Sequence, residues 1–167
     1  MLHIILGCMY SGKTTQIIAE YNKFKNSGAK CLMITPLGRV ESHDSVTVES
    51  ISVDKNSLIL TNIDLVDVIC IDEGQFFFDL IPFAYLCRKK NKSLIVNGLN
   101  GDFKGRIFGD LVHLIPHASK VTYLTSKCKC GDIAMYSKRL SNNQVLISIN
   151  EDYEPSCFEC INSSARE

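Results

Sequence analysis

Gly7-Cys8-Met9-Tyr10-Ser11-Gly12-Lys13-Thr14 is the stretch that decides the fold. It satisfies the spacing G-x-x-x-x-G-K-[ST], follows the apolar run Leu-His-Ile-Ile-Leu at residues 2–6, and opens a stretch of helical character at 12–25. A strand that passes through a glycine-bounded loop into a helix presents successive main-chain N–H groups to an anion at the positive end of the helix dipole. The pattern predicts that Lys13 reaches the β- and γ-phosphates of a nucleoside triphosphate and that the Thr14 hydroxyl binds Mg²⁺. The alternative is a plain glycine turn between strand and helix, with an exposed lysine and a threonine near the helix start.

Outward from this loop, apolar runs at 30–35, 66–71 and 93–97 lack polar alternation, as strands covered on both faces do. A second helix is expected over 79–90, with Pro82 in its first turn, where a missing N–H does no harm. Strand alternating with helix predicts an α/β fold, a P-loop (RecA-like) parallel sheet flanked by helices. Residues 36–57 read as a loop plus an edge strand within SVTVESISV, and GLNGDFKGRIFG at 98–109 is too rich in glycine for a regular element. KVTYLT, YSKRL and QVLISI read as short strands towards the C-terminus. The expected division is a nucleotide-binding domain at 1–119 and a small, β-rich module at 120–167.

The 167 residues suffice for one such domain and an appendage. Eighteen basic and eighteen acidic residues cancel, so no global positive field exists to hold nucleic acid. No apolar run approaches the roughly 18 residues of a membrane span. The first apolar run is too short, and too lacking in basic residues before it, for a signal peptide. A cytoplasmic protein with neither nucleic-acid nor membrane partners is expected.

Val68-Ile69-Cys70-Ile71-Asp72-Glu73 is an apolar strand ending in two carboxylates. Parallel strands present their carboxyl ends to the ligand crevice, which sets Asp72 beside the phosphate loop to assist the Mg²⁺ site. Strand alternation sends Glu73 elsewhere. A hydroxyl is a poor nucleophile at neutral pH, and Glu73 is the candidate base that would orient it and accept its proton.

Cys8, Cys31, Cys70 and Cys87 lie among apolar neighbours, whereas Cys128 with Cys130 and Cys157 with Cys160 form close pairs. In a chain without an export signal, such pairs favour metal over disulfides. Four thiolates can complete a closed tetrahedral structural Zn²⁺ site; two free thiol pairs, or a site with three protein ligands, are the alternatives.

With GCMYSGKT, IDEGQFF and GLNGDFKGRIFG in this order, the chain resembles the type II thymidine kinases of animal cells, bacteria and large DNA viruses, from about residue 2 to residue 160. The resemblance implies phosphorylation of the 5′-hydroxyl of thymidine by ATP in nucleotide salvage, with deoxyuridine as a second acceptor. It also implies Glu73 as catalytic base and Asp72 working with Thr14 on Mg²⁺. Gln75, within the same motif, is grouped with the phosphate-binding residues Gly7 to Thr14. Met9, Phe76, Leu99, Phe103 and Phe108 would surround the thymine ring, where stacking and apolar contact hold a flat base. Arg39 falls where the family has an arginine near the phosphoryl acceptor, and Ser42-His43-Asp44 is similar to its Thr-His-Asp, although Leu37, Gly38 and Val40 differ from the family's companions. Tyr136-Ser137-Lys138-Arg139 is similar to the family's Tyr-Thr-Lys-Arg, putting Ser137 near the base. Tyr153 matches the tyrosine of a lasso loop that closes over the nucleoside, with Ser148 and Ile149 in place of the family's Gly-Gly. The first cysteine pair is C-x-C where the family has C-x-x-C. A homotetramer inhibited by thymidine triphosphate is likewise implied.

Three other readings share these motifs. Another P-loop kinase of small molecules would differ in its acceptor pocket. An ATP-driven nucleic-acid-binding protein with a zinc ribbon would carry a basic surface. A relative that binds nucleotides without turnover would not need Lys13, Thr14, Asp72 and Glu73 together.

Overall fold

A computed structural model describes residues 1–36, 40–41, 47–147 and 152–163. In chain order the elements are β1 (Leu2–Gly7), α1 (Lys13–Asn26), β2 (Cys31–Thr35), β3 (Val40–Glu41), β4 (Thr47–Val48), β5 (Ile51–Ser52), β6 (Val68–Ile71), α2 (Leu80–Lys89), β7 (Ser93–Leu99), β8 (Lys120–Leu124), β9 (Ser126–Lys127), β10 (Ile133–Ala134), β11 (Tyr136–Arg139), β12 (Tyr153–Ser156) and α3 (Phe158–Ser163). Six strands form one wholly parallel sheet in the order β5-β2-β6-β7-β1-β8. This is the α/β sheet that the apolar runs predict.

The missing alternation in those runs has a direct cause. Ile4 and Leu6 of β1 join Leu94, Val96, Leu80 and Phe83 on the α2 face, while Ile5 joins Ile95, Ile17, Ile18 and Tyr21 under α1. Both faces are covered, so consecutive positions all favour apolar side chains, each stabilising by roughly 1.5–3 kcal/mol when fully buried. Pro82 occupies the third position of α2, where its missing N–H belongs to the unpaired first turn.

The strand order positions the site. The phosphate loop follows β1, the acid pair follows β6, and β7 lies between them. Register pairs Ile71 with Val96 and Ile5 with Asn97, so the residue after Val96 comes level with Asp72.

Several expectations need correction. Residues 120–124, expected among the strands of the small module, form β8, a sheet edge parallel to β1. Instead of one edge strand, SVTVESISV contributes two pieces: β4 pairs with β3, and β5 pairs with β2. Residues 144–147 of QVLISI are not a strand, and 148–149 lie outside the described residues; β11 pairs with β12 instead. A 3₁₀ segment at Leu111–His117, whose Leu111 and Leu114 enter the core and which contains Pro116, was not among the expected elements. Among the described residues no helix is long and apolar enough to cross a membrane.

Candidate active site

The loop between β1 and α1 owes its shape to two glycines. A Cβ on Gly7 would lie 2.4 Å from Ser11 Oγ and 2.6 Å from the Leu124 carbonyl oxygen. Gly12 has φ 84°, in the left-handed region that disfavours side chains. Inside the curl, the Ser11 hydroxyl donates to the Cys8 carbonyl (2.8 Å), and Lys13 Nζ donates to the same oxygen (2.8 Å). Met9 N–H donates to Ser137 Oγ on β11 (2.9 Å), tying loop to C-terminal strands. Burial lowers the Lys13 pKa, against the opposing pull of Glu73, Cys8 and Asp72.

Across β7, Asp72 follows the end of β6 and is 6 % exposed. Its Oδ1 accepts from Asn97 Nδ2 (2.7 Å) and lies 3.3 Å from Thr14 Oγ1. Burial, reinforced by Glu73, pushes the Asp72 carboxyl up to about 6, although the Asn97 and Thr14 hydrogen bonds and Lys13 pull it down. A buried carboxylate so placed beside a threonine hydroxyl suits a divalent cation.

Glu73 diverges from Asp72 for a reason other than alternation. The strand has ended, and Glu73 itself has φ 57°, so a left-handed turn aims its side chain. Its N–H donates to Asn97 Oδ1 (2.9 Å), and its Oε2 accepts from Gln75 Nε2 (2.5 Å). Gln75, 1 % exposed, accepts in turn from the Leu99 N–H (3.1 Å). Its amide therefore braces Glu73 against β7.

These groups border a cavity of about 390 Å³. Lys13, Thr14, Glu73 and Gln75 line it, together with Met9, Phe76, Leu99, Phe103, Phe108, Ser137 and Tyr153. The rings of Phe76 and Phe108 meet edge to face at 5.5 Å. Of the other residues expected to bind phosphate, Tyr10 and Gly12 also line the cavity, whereas Gly7, Cys8 and Ser11 of the loop, and Asp72 after β6, lie outside its wall. Arg39, like Ser42, His43 and Asp44, lies outside the described residues.

Sequence reasoning missed three polar residues. Asn97 bonds both acid residues, and Arg139 bonds Tyr153 and three carbonyls of the chain between β11 and β12. Asp102 accepts from the N–H groups of Lys104 and Arg106, pinning the turn beside Phe103. A polar side chain after the apolar run Leu94-Ile95-Val96 of β7 was the available signal for Asn97. Leu146 and Ile147 also line the cavity without having been singled out.

The second cluster is built by a turn and a short helix. The Sγ atoms of Cys128, Cys130, Cys157 and Cys160 all lie within 4.8 Å of one another. None of the eight cysteines is disulfide-bonded. Gly131, at φ 99°, donates its N–H to the Cys128 carbonyl, closing a turn that keeps the C-x-C pair together. Hydrogen bonding to the main chain of Cys130 and Cys157 holds the Cys128 thiol down to about 6. The four thiols are positioned for a tetrahedral zinc site.

Residues 1–161 match the family model described as thymidine kinase. The chain is 38% identical over 168 residues to the thymidine kinase of Yaba monkey tumor virus, covering 95% of this chain and 93% of that protein. It is 34% identical over 178 residues to that of Fowlpox virus (98% and 97%) and 35% identical over 170 residues to that of Bacteroides thetaiotaomicron (95% and 85%). A phosphate loop, an acid pair and an aromatic cavity in one crevice are what such an activity requires, and the chain belongs to the thymidine kinase family.

Proposed function

We propose that this chain transfers the γ-phosphoryl group of ATP to the 5′-hydroxyl of thymidine in the cavity between the phosphate loop and Tyr153, within nucleotide salvage in the cytoplasm. The observation that carries the reading is that Glu73 and Lys13 border the same cavity as Phe76, Phe103 and Phe108. The triphosphate lies on the main-chain N–H groups at the start of α1, and Lys13 leaves the Cys8 carbonyl to meet the β- and γ-phosphates. Thr14 and Asp72 would hold Mg²⁺, which supplies charge neutralisation to the phosphates. Glu73, oriented by Gln75, accepts the proton of the 5′-hydroxyl as the bond to phosphorus forms. Met9, Leu99 and the phenylalanines take the base, with Ser137 and Tyr153 at its edge; the family resemblance supports a role for Arg39 with the phosphoryl acceptor.

Cys128, Cys130, Cys157 and Cys160 would hold a structural Zn²⁺. Metal–sulfur bonds of about 2.3 Å in a tetrahedron separate the sulfurs by about 3.8 Å, in keeping with 3.6 Å between Cys130 and Cys157. The division into a nucleotide-binding unit and a C-terminal module belongs to the same proposal, with β8 counted in the former because it pairs with β1. The family resemblance supports a homotetramer and inhibition by thymidine triphosphate.

The test is transfer of labelled γ-phosphate from ATP to thymidine, deoxyuridine or deoxycytidine. Labelled thymidine monophosphate is expected. No transfer to any nucleoside, or ATP hydrolysis stimulated by DNA, overturns the reading.

A further inference from the structure

Arg139 ends β11 directly opposite Tyr153, the first residue of β12. It is 7 % exposed, and among the described residues no carboxylate forms an ion pair with it. Its guanidinium turns instead to carbonyls and a phenol. Nη1 donates to the carbonyl oxygens of Asn143 (2.8 Å) and Val145 (2.6 Å). Nη2 donates to the Leu146 carbonyl (3.1 Å) and the Tyr153 hydroxyl (2.5 Å), and Nε donates to that same hydroxyl (3.0 Å). The face of the fork covers Phe103, with Cζ 3.9 Å from the ring centroid.

Three separate stretches of chain therefore meet at one rigid plane: the turn carrying Phe103, the segment 143–146, and the start of β12. Phe103, Leu146 and Tyr153 form wall of the cavity, and Arg139 itself does not. A guanidinium stays charged, so detaching the segment would strand its donors in a buried place, at a cost that favours all the bonds or none. Because the bonds to 143–146 run to main-chain oxygens, the side chains of that segment do not decide whether it is held.

We propose that Arg139 is the positioning residue that latches Phe103, the 143–146 segment and Tyr153 into one wall, and so sets the affinity of the acceptor nucleoside rather than the rate of phosphoryl transfer. The proposal rests on the reading of the cavity as the nucleoside site. Lysine cannot replace the latch, since an ammonium has three donors and no planar fork to bridge several carbonyls while stacking on a ring.

The experiment compares full-length wild type with Arg139→Gln and Arg139→Lys. It measures KM for thymidine, KM for ATP, kcat, and hydrogen–deuterium exchange of the 141–147 amides without substrates. Thymidine KM is expected to rise about tenfold or more in both variants, with kcat and the ATP KM moving by less than about threefold. Exchange at 141–147 should quicken while that of β1 and α1 stays as it was. A thymidine KM within about twofold of wild type, or equal losses for both substrates, overturns the proposal. If Arg139→Gln does not fold, Arg139→Lys, which keeps charge and stem, carries the same test. A wild-type chain that does not phosphorylate thymidine refutes the kinase reading instead; the exchange comparison then decides the latch alone, and unchanged exchange at 141–147 overturns it.

Discussion

Asn97 donates its side-chain amide to Asp72 Oδ1 at 2.7 Å, and with its other side-chain atom, Oδ1, it accepts the Glu73 N–H at 2.9 Å. One buried amide on β7 thus fixes the carboxylate beside Thr14 and the backbone of the neighbouring acid. Asn97→Ala removes both bonds, strands the Glu73 N–H without its acceptor and leaves Asp72 Oδ1 only the Thr14 hydroxyl, a loss of about 1–3 kcal/mol in stability. The kcat/KM for thymidine should fall by about tenfold or more, because both acids lose their fixed placement. Steady-state kinetics beside urea unfolding measures the two effects; an unchanged kcat/KM removes Asn97 from the site.

Asp72 carries a stability effect with a definite sign. Its carboxyl is raised from 3.8 to about 6 in the folded chain, so the native state holds its proton more tightly than the unfolded state. Stability from this group is complete below about pH 4 and is lost as pH rises through 6, to a total of about 3 kcal/mol. Asp72→Asn keeps an acceptor for Asn97 and lacks the ionisation. Without nucleotide or Mg²⁺, this variant should melt above wild type at pH 7.5, by a margin that vanishes towards pH 4. Phosphoryl transfer should fall nonetheless. A melting difference that does not change between these pH values contradicts the assignment.

Glu73→Gln tests the base directly. Turnover should drop by about 10² or more, with ATP binding retained. Gln75→Ala should lower kcat by a smaller factor, since Glu73 remains but loses the Gln75 hydrogen bond and its brace to the Leu99 N–H. Unaltered turnover in Glu73→Gln assigns the proton to another acceptor.

The phosphate loop was readable because each of its glycines answers a local demand: Gly7 a close approach, Gly12 a left-handed φ. The parallel strands were readable because both faces are covered. Three adjacent aromatics show where such reading stops. Phe76 lines the cavity, Phe77 is 1 % exposed in the core, and Phe78 is 65 % exposed. Their directions follow from the 3₁₀ turn at Gly74–Phe76 and the left-handed Glu73, and neither periodicity nor composition contains that turn. Asn97 and Arg139 were hidden differently. Asn97, set among the apolar residues of β7, signals an unmet hydrogen-bond demand, whereas Arg139 ends the polar run Tyr-Ser-Lys-Arg and gives no such signal. The partners of both come from strand order and from β11–β12 pairing, which are tertiary facts. β8 likewise resembled any short strand until β1 supplied its neighbour.

Zinc should matter to the active site, although the cluster lies in a different part of the chain. β11 and β12 form a two-stranded sheet beside the four cysteines, and Ser137 of β11 accepts the Met9 N–H of the phosphate loop. Two short strands are marginal alone in water, so the metal would supply the order that fixes Ser137, Arg139 and Tyr153. Purified protein is expected to hold one zinc per chain. Cys128→Ser should release it, because Cys128 lies within 4.8 Å of the other three sulfurs despite its C-x-C spacing. The variant should lose thymidine affinity before ATP affinity, since the phosphate loop rests on the parallel sheet. Metal analysis with paired KM measurements checks this: full zinc content in Cys128→Ser makes the site a three-cysteine one, and equal weakening of both substrates places the zinc's influence on the whole fold.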